Sequence, residues 1–361
     1  MKKRILKVVL LLSLFCLLPT KSLADETESK IKQVGFSYKI NHPTNQIGSG
    51  GALNLKMNPG QEQIATATIR NTSNQDITVL LSLNGARTNS NGGLEYGPND
   101  FKADKSMAYD ITDLIEVPKE IQIAKNSEKD IEMTIKMPKV PYEGIVTGGL
   151  QMIEKDEGKE EVTSTTIINK VAYLFGITLQ MDETELKPQI DLQKVYPEQA
   201  NFRNAVFLDF ANVVAMKVNG LMLDIEITNE GKEDVLFESK KNNMEMAPNT
   251  VMSYPVSFGG EKMLAGKYTA HVLASAHGEE WKWDSDFTIT KEQADKFNQQ
   301  DVNLVQERGL DWKLIAVIVS ALVFVIAGIY FVRKSLNKKK TSKRNTKNSS
   351  KSSSKSRKKT R

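Results

Sequence analysis

Leu314 to Val332 is the stretch that most limits what this chain can become. It runs LIAVIVSALVFVIAGIYFV, nineteen residues without one charge. As a helix it would be about 28 Å long at roughly 1.5 Å per residue, close to the hydrocarbon thickness of a bilayer. Trp312 precedes it and Tyr330 stands near its end, where amphipathic rings favour the headgroup level. A buried core helix of this length would carry a polar stripe, so the run is read as a single transmembrane α-helix over 314–332. From Arg333 to Arg361 there are fourteen Lys and Arg and no Asp or Glu. The positive-inside rule then makes this tail cytoplasmic and puts the preceding domains outside. Beyond Leu336 it has no apolar residue, so it is expected to be a disordered basic tail.

The start of the chain reads as a signal peptide over 1–24. Lys2, Lys3, Arg4 and Lys7 are followed by an apolar run from Val8 to Leu18 and by Ser22-Leu23-Ala24, a small-x-small cleavage site. The only cysteine, Cys16, falls inside that run, so the processed chain is expected to have neither disulfide nor thiolate chemistry. Between signal and tail stand 30 basic and 44 acidic residues, a net charge of −14. An acidic exterior argues against nucleic acid as a partner and leaves neutral glycans, proteins and cationic groups open.

About 290 outer residues suffice for two domains, and their pattern is strand-like. Leu53, Leu55 and Met57 alternate, as do Val79, Leu81 and Leu83, and Ile131, Met133, Ile135 and Met137. Leu221, Leu223, Ile225 and Ile227 repeat the design, as do Met252, Tyr254 and Val256. Period two with one apolar face is what half-buried antiparallel strands require. The fold class is therefore all-β: two tandem immunoglobulin-like β-sandwich domains, then the transmembrane helix and the tail. The boundaries fall at 34–180 for the first sandwich, 181–300 for the second, 301–313 for a stalk and 333–361 for the tail. Residues 292–308, rich in Gln, Asp and Asn, read as stalk or short helix.

Two internal echoes support tandem copies. Residues 68–79 resemble 226–237, and Ile121 to Asn126 resembles Met244 to Asn249. On this alignment the first copy has an insertion, roughly Asn84 to Val117. Its turn-forming Asn89-Ser90-Asn91-Gly92-Gly93 is followed by Tyr96 and Phe101 among polar residues, and Ser106 to Ile115 reads as a short helix. Long loops on rigid sandwiches carry function, although a decorated surface loop has the same signature. As a glycan site, Tyr96 and Phe101 would stack on sugar faces while Asn89, Asn91 and Asp100 bond hydroxyls. A second candidate patch is Tyr38, Asn45 and Gln46 near the start. Trp281 and Trp283 share a strand face and are read as core packing in preference to sugar stacking.

No catalytic constellation is present. There is no G-x-S-x-G, no H-E-x-x-H and no phosphate-cradling loop, and the three histidines lack metal-ligand spacing. Neither a metal nor another cofactor is expected, and no enzyme activity. A single-pass sensor, or a wall enzyme of unrecognised type, remains the alternative.

The order of short motifs resembles the WxL-interacting proteins of Gram-positive bacteria. Gly35 to Ile40 with Pro43, Asn45 and Gln46, then Met57-Asn58-Pro59-Gly60-Gln61, Asn71-Thr72-Ser73 and Gly144-Ile145-Val146 with Gly148-Gly149 carry the first half. Asn204-Ala205-Val206, Met246-Ala247-Pro248-Asn249, Gly266-Lys267-Tyr268 and Trp281-Lys282-Trp283 carry the second. The resemblance implies a first domain that binds peptidoglycan, and a second that meets WxL-domain surface proteins or a host extracellular-matrix protein. It implies no catalytic residue. With the membrane helix, it places the domains in the cell wall and the tail in the cytoplasm.

Overall fold

The computed structural model describes residues 35–155, 171–304, 315–331 and 333. The expected signal peptide, most of the stalk and all of the tail beyond Arg333 lie outside the described residues.

The first sandwich contains β1 (Phe36–Asn41), β2 (Leu53–Lys56), β3 (Glu62–Asn71), β4 (Ile77–Gly85), β5 (Arg87–Thr88), β6 (Leu94–Glu95), α1 (Ile111–Leu114), β7 (Ile115–Glu116), β8 (Glu120–Ile123), β9 (Glu128–Lys136), β10 (Ile145–Glu154) and β11 (Ala172–Gln180). One sheet has the order β1-β3-β9-β7 and the other β2-β11-β10-β4-β8. All pairings are antiparallel except β2 with β11. The alternating residues Leu53, Leu55 and Met57, and Ile131, Met133, Ile135 and Met137, all point into one core with Phe36 and Phe175. Period two sets this: every second side chain leaves water, so each sheet has one apolar inner face.

The second sandwich contains β12 (Ile190–Ala200), β13 (Arg203–Asn212), β14 (Val218–Asn229), β15 (Val235–Met246), β16 (Val251–Ser257), β17 (Gly266–Ala276), β18 (Glu279–Ile289) and α2 (Lys291–Gln300). Its sheets are ordered β12-β13-β16 and β15-β14-β17-β18. Leu221, Leu223, Ile225 and Ile227 face Met252, Tyr254 and Val256 across a separate core. Helix α2 is the short helix of the two alternatives read for 292–308, and it packs on this sandwich. Thr290 caps its start in a reciprocal box with Gln293, and Ala294 and Phe297 are buried in the core. The polar composition of 292–308 concealed two apolar anchors three residues apart.

The tandem design is real, but one echo was misaligned. In the first copy the buried Asn71 amide donates to the carbonyls of Gln75, Ile123 and Ala124. In the second, Asn212 donates to those of Met216 and Ala247. Both accept from the backbone two residues on, at Ser73 and Val214. Asn126 and Asn249, each two residues past the bonded alanine, both take positive φ (54° and 52°). Asn71 therefore matches Asn212, while Asn229 is its counterpart only in local sequence. From Asn71 to Asn126 is 55 positions, and from Asn212 to Asn249 it is 37, so the insertion is smaller than the sequence alignment made it.

Nearer the C-terminus the chain is helical over 315–331 and at Arg333. Among the described residues no helix is long and apolar enough to cross a membrane. Leu314 and Val332, the ends of the expected span, lie outside the described residues, and the described helix is shorter than the roughly 20 residues a span needs.

Candidate functional site

The insertion packs against the second sandwich. Thr88 on β5 and Thr250 before β16 are both buried, with their hydroxyls 2.7 Å apart. Thr88 Oγ1 accepts from Ala247 N at 3.0 Å, and Thr250 Oγ1 donates to Ala247 O at 2.9 Å. Each hydroxyl has one proton, so the order is fixed: Ala247 N–H to Thr88, Thr88 O–H to Thr250, Thr250 O–H to the Ala247 carbonyl. This three-bond ring satisfies both polar groups of a fully buried peptide residue.

Further bonds extend the joint. Glu245 N donates to Gly92 O at 2.8 Å, Asp104 N to Asn249 O at 2.8 Å, and Val251 N to Lys102 O at 3.1 Å. The Asn249 amide reaches Ser106 Oγ at 2.9 Å. Ile145 N donates to Ala215 O at 2.7 Å. Two glycines permit this approach. Gly92 and Gly144 have φ of +72° and +83°, and a Cβ on them would strike Met244 and the Ala215 carbonyl. Elsewhere in the insertion Asp110 caps α1 and pairs with Arg87 at 2.6 Å. Burial alone pushes the Asp110 carboxyl up. Bonds from the Thr112 N–H, the Arg87 guanidinium and the Thr112 hydroxyl outweigh it and hold the group below the usual carboxylate range.

Where the insertion meets the second sandwich, a cleft of about 590 Å³ opens between residues 102–105 and strands β12, β13, β16 and β18. Lys102, Lys105, Asp104, Asp191, Asp209 and Gln193 supply polar groups, and Leu192, Val251 and Trp283 an apolar wall. Asp209 is only 7 % exposed. Its Oδ1 accepts from the Tyr196 hydroxyl at 3.2 Å, and among the described residues no donor reaches Oδ2. Burial, and then the neighbouring Asp209 charge, raise the Tyr196 pKa against a Ser253 bond that lowers it, so the phenol stays a donor. Tyr196 stacks on Phe207 with centroids 6.0 Å apart and lies under Lys194 Nζ. Asp104 is raised by burial but lowered further by the Ser106 hydroxyl and N–H, the Gln193 amide and the Lys105 N–H, so it stays ionised. Gln193 Nε2 donates to it at 2.6 Å across the joint.

Such a cleft suits a neutral or zwitterionic ligand with one apolar face and many hydroxyl or amide groups. A polyanion would meet three carboxylates. Among the described residues no group of three or more His, Cys, Asp or Glu could hold a metal ion.

The residues expected from sequence fall at three places. Asn89 is engaged within its own turn: Oδ1 accepts from Asn91 N and Gly93 N, and Nδ2 donates to Glu95. Asn91 and Asp100 are exposed, and their side chains bond no described residue. Tyr96 is half-buried, its Cβ lying where a Cβ on Gly149 would come within 2.7 Å. Burial, then Glu245, raises its pKa. Phe101 is exposed and does not line the cleft, although the next residue, Lys102, does. Tyr38, Asn45 and Gln46 lie elsewhere. Tyr38 stacks on Phe175 at 5.6 Å and meets Tyr173 at 5.3 Å, so it closes a sandwich edge. Asn45 and Gln63 exchange amide bonds, and Gln46 bonds Ile47, Ala52 and Asn54. Trp283 packs 6.1 Å from Phe210 against the core, yet also lines the cleft. Thr88, Asp104, Gln193, Asp209 and Thr250 were missed. Gln193 and Asp209 lie within long strands, and Thr88, Asp104 and Thr250 in short bridges or loops, and in neither setting does a polar residue show that it faces another domain.

Two family models match the chain in order. The one described as the WxL Interacting Protein peptidoglycan binding domain matches residues 36–154, and the one described as its host binding domain matches residues 162–299. The chain belongs to the WxL-interacting protein family. The second match opens before β11, a strand that the structure places in the first sandwich. No curated protein matches the chain in sequence. Among solved structures, the YadV chaperone is 11% identical over 70% of this chain and 100% of its own, with a TM-score of 0.29. The Pseudomonas aeruginosa CupB2 chaperone is 14% identical over 66% and 98%, with a TM-score of 0.26. A PapD-like domain of human CEP192 is 12% identical over 46% and 100%, with a TM-score of 0.27.

Proposed function

We propose that this WxL-interacting protein is a membrane-anchored scaffold of the cell surface that holds peptidoglycan and presents its second sandwich to a WxL-domain protein or a host matrix protein. The observation that carries this reading is the pair of matched domains, one described as peptidoglycan binding and one as host binding, joined by the insertion around a polar cleft. The apolar run 314–332 spans the membrane, the domains stand in the wall and the basic tail lies in the cytoplasm. The chain acts by binding and not as an enzyme.

The cleft takes a glycan fragment with its peptide stem. Asp191 and Asp209 accept from hydroxyl and acetamido groups, Lys102 and Lys105 meet stem carboxylates, and Trp283, Leu192 and Val251 face the apolar side of a sugar ring. Tethering raises the effective concentration of wall polymer at the site, so a modest affinity suffices. Co-sedimentation of the full chain with purified peptidoglycan tests the reading. Binding competed by muramidase-released fragments is expected. A chain that stays in the supernatant with its fold intact overturns it.

A further inference from the structure

The two ends of the second sandwich differ. Residues 213–217 and 247–250 lie at the end joined to the first sandwich, through Ala215, Ala247 and Asn249. Strand β13 runs away from the opposite end and β14 runs back to it. The β12–β13 turn, the β14–β15 turn and the 259–265 loop therefore share that opposite, free end. Pairing confirms this: Asn229 lies across from Tyr268 at the start of β17, and Phe258 N bonds Asn204 O beside the β12–β13 turn.

All the exposed large hydrophobic residues of this sandwich lie at the free end. Phe202 is 71 % exposed, Leu264 66 %, Val235 44 % and Leu236 41 %. Phe202 stands out on a second ground. Ala200 pairs with Arg203, so the turn has two central residues, Asn201 and Phe202, at φ of 51° and 59°. The second position of such a turn favours glycine, because a bulky side chain is strained there. Phe202 accepts that strain and packs into no core. Backbone strain that local packing does not explain points to function.

The chain also leaves the sandwich at this end. Asn204 N donates to Asp301 Oδ2 at 2.7 Å, and Gln199 Nε2 to Phe297 O at 2.9 Å. Leu314 stands thirteen positions after Asp301. Fully extended, thirteen steps reach about 45 Å at ~3.5 Å each, so this end is the one the chain tethers to whatever holds the apolar run. Phe202 and Leu264, near Arg203 and Lys262 in sequence, suit the interfacial zone of a bilayer, where rings and cations are both favoured, whereas Val235 and Leu236 follow the acidic Glu233 and Asp234.

We propose that the β12–β13 turn, with Phe202 at its point and Leu264 beside it, is a wedge that docks the second sandwich onto the outer surface of the lipid bilayer. The inference rests on the reading of 314–332 as a membrane span. It turns a swinging tether into a seated pedestal and sets the height at which the cleft stands in the wall.

The test uses the full chain reconstituted into phosphatidylcholine–phosphatidylglycerol vesicles. In a Cys16→Ser background, a bimane fluorophore is attached at Phe202→Cys, at Leu264→Cys or, at the joined end, at Glu280→Cys. Lipids with nitroxides near the headgroup should quench the first two by at least twofold more than the third. Phe202→Gly, which gives the turn its favoured Asn-Gly pair, should melt no lower than wild type and should weaken quenching at 264. Equal, weak quenching at all three sites while the protein floats with the vesicles overturns the wedge and leaves the span standing. Failure to float overturns both. A Phe202→Gly protein that melts well below wild type makes Phe202 a structural residue and overturns the wedge as well.

Discussion

Replacing Thr88 with valine tests the joint between the sandwiches with almost no change of shape. The substitution removes one hydroxyl from the ring through Thr88, Thr250 and Ala247. Two effects add. The bond from Thr88 to Thr250 disappears, worth about 1 kcal/mol net. The Ala247 N–H, in a fully buried residue, loses its acceptor, and a buried donor left unpaired costs about 1–3 kcal/mol. The expected loss is about 2–4 kcal/mol, which for a cooperative unit of this size lowers the melting temperature by about 5–15 °C. Thr88→Ser keeps the hydroxyl and gives up only a methyl group, so it should cost about 1 kcal/mol or less. Urea denaturation of both variants measures the difference. Limited proteolysis should also cut Thr88→Val first between the sandwiches. A loss below about 0.5 kcal/mol in Thr88→Val, or a serine variant as weak as valine, would refute the hydroxyl ring as a structural joint.

Gly149→Ala should destabilise by about 1–3 kcal/mol through overpacking, because its Cβ would come within 2.7 Å of Tyr96 Cβ and 3.0 Å of Tyr96 O; thermal melts measure it. Asp110 has a folded pKa below its unfolded value, so its contribution is present at neutral pH and is lost as pH falls from about 4 through the folded pKa. Asp110→Asn should therefore be less stable than wild type at pH 7, and the two stability curves should converge in acid; a constant gap down to pH 2 would contradict this. Asp209→Asn keeps an acceptor for Tyr196 but removes one of the cleft's buried carboxylates. It should fold normally and bind soluble peptidoglycan fragments about tenfold more weakly, near 1.4 kcal/mol, by calorimetry.

The sandwich cores were legible because period two is a strong local signal. Leu53-Leu55-Met57 and Leu221 to Ile227 could hardly face any other way, and all of them are buried. Helix α2 was half legible: its Thr290–Gln293 box has a readable spacing, but Ala294 and Phe297 are too few to show periodicity. The insertion was found as a loop and expected at a sugar surface, yet much of it lies against the second sandwich. Asn89 shows why. An asparagine in a turn has the same sequence signature whether its amide meets a ligand or, as here, closes its own loop on Asn91, Gly93 and Glu95. Asp209 sits in a strand whose neighbours Leu208 and Phe210 are both core-facing or buried. Only the approach of residues 102–105 from another domain makes it part of a cleft, and sequence pattern does not report such long-range meetings.

Hydrogen exchange of the full chain, with and without soluble peptidoglycan fragments, tests the central claim most directly, because it locates the site without altering a residue. The composite cleft predicts new protection in residues 100–106 together with the facing stretches of β12 and β13 around Gln193 and Asp209. Protection confined to the edge formed by Tyr38, Asn45 and Gln46, with the cleft unchanged at saturating ligand, would contradict it.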